Sequence, residues 1–337
     1  MKKSSQNMLN NCQLCAVISK SNGEDPIGSA DTHEHWLAME MEFPWSQERL
    51  QENPFIVQAL ALIHQKNESG VKISGHLMAT DREYSQPGCT RFLYYYRPAN
   101  LFATFEKQEF IVPNEEAQFF AIALLETLAT SLQLTDWEKY RQQTSQIREL
   151  MVCTDGGVDL ACGKFGSSIY QQLRSQYANE QLRVWRVNHF GGHQFAPTLL
   201  DWPSGQYWGH LSSKVLGILI KRDDVVRKLR PFYRGWSGMT KFEQIAEREI
   251  WMKEGWQWLD YQKTGRIFEI DEVNENWAEL RIDFSDHKKN IQGVYEARIE
   301  ADGFVMTAFN SQKEPLLKQV KQYRVSKLVK VPSHQEN

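Results

Sequence analysis

Two cysteines, Cys153 and Cys162, stand with eight residues between them in VCTDGGVDLACGKFG, and two histidines, His189 and His193, follow in VNHFGGH with only Phe-Gly-Gly between them. Thiolates and imidazoles are soft donors suited to zinc, copper or iron–sulfur clusters, whereas calcium and magnesium call for carboxylates and carbonyls. Tight zinc knuckles usually place ~2–4 residues between cysteines, so this longer loop can wrap something bulkier than one ion. Gly191-Gly192 lets the backbone turn sharply with no Cβ in the way, which allows two imidazoles to face one point. Met151, Val152, Leu160, Phe165, Phe190 and Phe195 flank the four residues as an apolar shell that would tune a potential and restrict access. Taken singly, a cysteine at a strand end is more often an inert core residue than a ligand. Four such residues on two loops point instead to a metal centre, either zinc or a 2Fe-2S cluster.

Convergence requires elements that bring residues near 155 against residues near 190. ELMVC reads as a buried strand, and FGSSIYQQLRSQY places Phe165, Ile169 and Leu173 at helical spacing. LRVWRV is the next strand, and APTLLDWPSGQYWGHL reads as two strands joined at Pro203-Ser204-Gly205. SSKVLGILI opens a helix capped by Ser212 or Ser213. This β-α-β, β-β-α order resembles the thioredoxin-like fold, with Pro197-Thr198-Leu199 in the place of its cis-proline segment, so a cis Ala196-Pro197 bond is expected. Earlier in the chain HWLAMEMEF, VKISGHLMA, TRFLYYYRP and FEKQEFIV read as strands, and PFIVQALALIHQ and EEAQFFAIALLETL as helices, a looser copy of the same plan without a cysteine pair. Beyond Lys228, FEQIAEREIWMKEGWQWL reads as one amphipathic helix, and GRIFEID, WAELRIDF, VYEARIEAD and FVMTAF as short strands.

CTDGGVDLACGKFGSSIYQQL, VWRVNHFGGHQFAPTLL and PSGQYWGHL together resemble the sucrase/ferredoxin-like family, as do GEDPIGSA and FPW near the N-terminus. The resemblance spans most of residues 10 to 220, and YRGWSGMTKFEQIAEREIW is similar to the extension on cyanobacterial members. It implies a thioredoxin-like ferredoxin domain over 145–225; with the element order this makes a mixed α/β (α+β) chain, with an N-terminal α/β domain over 1–140, either a degenerate thioredoxin-like unit or an α+β sandwich, and a small α+β extension over 226–337. It also implies that Cys153, Cys162, His189 and His193 ligate a 2Fe-2S cluster; the residues leave open whether both histidines bind one iron, as in Rieske sites, or one binds each, and the resemblance leans toward one each. Asp155 and Ala161 stand where members often have His and a further Cys. Neither departure removes a ligand. The sucrase half of the family name has no support in paired carboxylates.

Replacing two thiolates by neutral imidazoles eases reduction, as in Rieske centres at roughly −150 to +300 mV against about −400 mV for plant-type ferredoxins. A potential above the plant type, falling as pH rises, is the expectation. The function so read is electron transfer between a redox donor and acceptor protein, a carrier and not an enzyme with its own substrate. The rival is a scaffold in which the same four residues clamp structural zinc, a colourless protein that chelation would unfold. The formal charge of −3 and pI near 6.3 supply no field to recruit nucleic acid or an anionic membrane. No apolar run reaches the ~20 residues of a membrane span. Five scattered cysteines argue against a disulfide framework and for a reducing, cytoplasmic setting. Cys12-Gln13-Leu14-Cys15 matches C-x-x-C but lies in a polar tail. His33 and His35, alternate on a strand, would face opposite ways. Lys318, Lys321, Arg324, Lys327 and Lys330 read as the solvated face of a strand. Trp251, Trp256 and Trp258 read as packing of the extension, and Asp155 and Asp159 as loop caps or electrostatic tuners.

Overall fold

A computed structural model describes residues 13–128, 134–288 and 290–331. It contains a β-α-β-β-β-α order twice. The first copy is β1 (His35–Glu40), α2 (Pro54–Glu68), β2 (Ile73–Met78), β3 (Cys89–Tyr96), β4 (Glu106–Pro113) and α3 (Ala117–Thr127), preceded by α1 (Cys15–Ser21). After β5 (Arg141–Gln142), the second is β6 (Arg148–Cys153), α4 (Ser167–Gln176), β7 (Leu182–Val187), β8 (Leu199–Trp202), β9 (Gln206–Trp208) and α5 (Ser213–Lys221). Both copies have the same register: the first two strands are parallel, the third pairs antiparallel with the first, and the fourth antiparallel with the third. A helical crossover between parallel strands is what the β-α-β unit requires. The second copy carries the thioredoxin-like order expected from the sequence, and the first repeats it without the cysteine pair. The bond expected to be cis, Ala196-Pro197, is cis, as are Phe43-Pro44 and Trp202-Pro203.

The copies meet where β2 and β7 pair at Met78 and Val187, so all strands through β10 (Tyr233–Trp236) share one sheet of order β10-β9-β8-β6-β7-β2-β1-β3-β4-β5. In that order β4 is four strands from β7, yet side chains of β4 reach both β6 and β7. Arg183 grips Glu109 with two bonds of 3.1 and 3.0 Å, Arg91 donates to the same carboxylate, and Lys107 Nζ lies 2.6 Å from Glu149 Oε1. The sheet therefore curls over on itself, as the strand twist accumulated over ten strands allows. Inside the curl Trp36, Tyr95 and Trp202 pack ring against ring, with Tyr95 and Trp202 stacked at 4.5 Å.

Two expectations for the C-terminal third are corrected. The amphipathic helix α6 (Lys241–Glu254) begins at a Thr240/Glu243 capping box and stops at Gly255, whose φ of 77° ends it; Trp256–Asp260 is a separate 3-10 turn. VYEARIEAD and FVMTAF are one strand, β13 (Gln292–Ala308), because pairing with β14 (Leu317–Val331) resumes across a bulge between Ala301 and Phe304. With β11 (Gln262–Ile270) and β12 (Trp277–Ser285) they form a four-stranded antiparallel sheet packed on α6. Trp251 contacts Trp208 of the second copy, Trp256 packs on Trp251, and Trp258 packs on Phe284 and Tyr295, so these tryptophans pack the extension, as read. The basic strip lies on β14, where Arg324 pairs with Glu300 and Lys330 with Glu254.

Lys263 is buried in this region. Its Nζ donates to the carbonyls of Trp258 and Tyr261 and lies 4.5 Å from the Trp236 ring centroid. Burial, offset in part by Glu247, lowers its pKa from 10.5 to about 8. The folded protein therefore releases this proton before the unfolded chain does, and the cost of the buried cation, roughly 3 kcal/mol, is relieved as pH rises from 8 to 10.5. Urea denaturation at several pH values is expected to show wild type gaining up to that amount relative to Lys263→Met across this window. A constant difference would contradict it.

Candidate metal centre

The site begins at the end of β6. Cys153 is its last residue, 1% exposed, and its amide donates to Thr198 O across the cis-proline segment at 3.2 Å. The loop that follows is held by its own aspartates: Asp155 Oδ1 accepts from Gly157 N and Asp159 Oδ1 from Ala161 N. Cys162, also 1% exposed, opens a π-turn (Cys162–Gly166) that runs into α4. Such turns occur frequently at functional sites. Gly166 is required there, since a Cβ would fall 1.9 Å from Cys153 O.

His189 follows β7 by two residues. Its Nδ1 lies 3.9 Å from Cys153 Sγ and 4.0 Å from Cys162 Sγ. Gly191 and Gly192, at φ of 84° and 74°, then reverse the chain into the short turn His193–Phe195. The His193 ring stacks on that of His189 with centroids 5.0 Å apart and planes at 24°, and its Nδ1 is buried with no hydrogen-bond partner among the described residues. The structure thus gathers Cys153, Cys162 and His189, whose donor atoms all lie within 4.8 Å of one another, and stacks His193 on His189.

These three residues could hold a metal ion. A tetrahedral centre with sulfur at ~2.3 Å and nitrogen at ~2.0–2.1 Å separates the two donors by roughly 3.6 Å, so small side-chain movements close the observed spacing. The electrostatics agree. The Cys162 thiol, and then His189, pull the Cys153 thiol down against its own burial, while Cys153 and burial push Cys162 up. Burial and the neighbouring His189 lower His193, which keeps that imidazole in the neutral form a metal requires. Both cysteines are free.

Of the flanking apolar residues, Met151, Val152, Phe190 and Phe195 are buried, whereas Leu160 is exposed. Asp159 does more than cap its loop: its carboxylate accepts from Ser311 N and Ser311 Oγ and lies 3.6 Å from Cys15 Sγ. The Cys12 half of the C-x-x-C match lies outside the described residues. His33 and His35 do not converge, since His35 Nδ1 meets Tyr94 OH and His33 faces Asp31. Sequence reasoning also missed Arg234, which the fold buries against Gly191.

The chain belongs to the sucrase/ferredoxin-like family, whose model matches residues 26–235, a span that contains both cysteines and both histidines. No curated protein and no solved structure matches the chain. Among the described residues no helix is long and apolar enough to cross a membrane.

Proposed function

We propose that the protein is an electron carrier in which Cys153, Cys162, His189 and His193 hold a 2Fe-2S cluster. When bound, that cluster would take up and return single electrons. The observation that carries this reading is the placement of the fourth donor. His193 stacks on the His189 ring and stands outside the group of three gathered donors, with a buried ring nitrogen that lacks a partner among the described residues. A second metal atom would give that nitrogen its partner, and membership of a family described as ferredoxin-like adds weight. The cysteines are buried, while His189 and His193 are part-exposed, so the histidine edge is where a donor or acceptor protein would approach. The free thiols suit a reducing, cytoplasmic setting.

A second reading is structural zinc. The closeness of the three donors supports it, since donor atoms within 4.8 Å suit a single ion. The two readings separate in the His193→Cys variant. A thiolate in place of a neutral imidazole adds negative charge, so the variant is expected to keep visible colour, with a shifted spectrum and a lower potential. An unchanged spectrum would remove His193 from the ligand set, and a colourless wild type would favour zinc.

A further inference from the structure

Arg234 is 2% exposed, and each of its side-chain hydrogen bonds goes to a neutral oxygen: Nε to Ser29 Oγ at 3.0 Å, Nη1 to Gly191 O at 3.0 Å and Nη2 to Ser29 O at 2.6 Å. The guanidinium lies over the rings of Phe195 and Tyr207, and it occupies the space a Cβ on Gly192 would need, at 2.5 Å. A buried cation without a carboxylate partner costs several kcal/mol. The charged groups that act on it are Asp31, whose side chain is 53% exposed, Tyr207, and the thiols of Cys162 and Cys153. Solvent screens Asp31. Burial pushes the Tyr207 phenol up, which keeps it neutral, so the two cysteines are the buried groups among these that carry negative charge when they bind a metal.

We propose that Arg234 supplies the counter-charge for the electron taken up at Cys153, Cys162, His189 and His193, an inference that rests on the electron-carrier reading above. Two thiolates and two neutral imidazoles balance a diferric 2Fe-2S core, so one electron from a donor protein leaves a net negative charge at any pH where neither histidine takes up a proton with it. Arg234 stabilises that charge without movement, because Ser29 and Gly191 already hold the guanidinium in place. The same bond to Gly191 O fixes the turn between the two histidines. Arg234 is thus both a positioning residue for the histidines and a fixed electrostatic bias toward the reduced state. It also gives the GEDPIGSA segment, through Ser29, a part in the redox site 150 or so residues away.

The test is a spectroelectrochemical titration of the intact chain at fixed pH, with the variants Arg234→Met, Arg234→Lys and Ser29→Ala beside wild type. At a given applied potential Arg234→Met is expected to lower the reduced-to-oxidised ratio at least tenfold, which for a one-electron couple is about 59 mV. Arg234→Lys keeps the charge and should stay within about threefold of wild type. Ser29→Ala removes one of the bonds that hold the guanidinium but no charge, and with Ser29 O and Gly191 O still accepting it should shift the ratio by no more than about threefold. Should Arg234→Met not fold, Arg234→Gln takes its place as the neutral variant: a ratio at least tenfold below wild type supports the role, and one within about threefold of wild type overturns it. Equal shifts in Met and Lys, or no shift in either, would also overturn the counter-charge role while leaving the electron carrier intact. A wild type that holds zinc and shows no redox couple would sink both.

Discussion

Cys162→Ser protein is expected to leave purification with its metal lost. Substituting outer partners of metal ligands costs ~10–100-fold in affinity, and removing a ligand is expected to exceed that, because a serine hydroxyl stays neutral at pH 7 where a thiolate is needed. Visible absorbance and bound metal should therefore fall at least tenfold. The helix that follows should survive, since its start is set by backbone bonds from Cys162 and Gly163 amides to Asp159 O, so the far-ultraviolet circular dichroism of the variant should match wild type. Cys89→Ser, a change on β3 away from the site, should retain full metal content. A Cys162→Ser protein that keeps more than half of its metal would remove this residue from the ligand set.

Glu109→Ala is expected to destabilise the fold by about 3–5 kcal/mol, the range for breaking a buried ion pair by removing one partner. Glu109 is 1% exposed and accepts from Arg183, Arg91 and Thr144 Oγ1, so its loss leaves Arg183 with Glu149 at 3.5 Å and Arg91 with Glu40 at 3.8 Å, both without their closest carboxylate. These residues come from β3, β4 and β7, which makes the network the clasp of the curled sheet. Denaturant unfolding at neutral pH measures the loss. The pair Glu109→Leu with Arg183→Met should recover part of it, since it removes one of the two guanidinium groups left without Glu109. A single-variant loss below about 1 kcal/mol, the ceiling for an exposed pair, would mean that the network is screened by solvent.

The sequence made the strands and helices of both copies legible, because apolar periodicity over ELMVC, LRVWRV and PFIVQALALIHQ reports burial directly. It also placed the histidine turn beside the cysteine loop, since a β-α-β unit followed by Pro197 leaves few alternatives for where residues near 190 can lie. Arg234, Ser311 and Cys15 were not legible. Arg234 meets Ser29 across a sequence separation of 205 and Ser311 meets Asp159 across 152. Contacts between such distant residues leave no periodic trace. Gly303 misled in another way: at φ of 86° it looks like a turn in the sequence, yet its strand continues past it after a bulge. Leu160 was placed in the shell by its type alone, and the loop turns it outward.

The most direct test of the central claim is an ultraviolet–visible spectrum of freshly purified wild-type protein, taken with iron, acid-labile sulfide and zinc analysis on the same sample. The account predicts a coloured protein with about two irons and about two sulfides per chain, whose colour bleaches on reduction and returns in air. A colourless protein with stoichiometric zinc and no sulfide would contradict it.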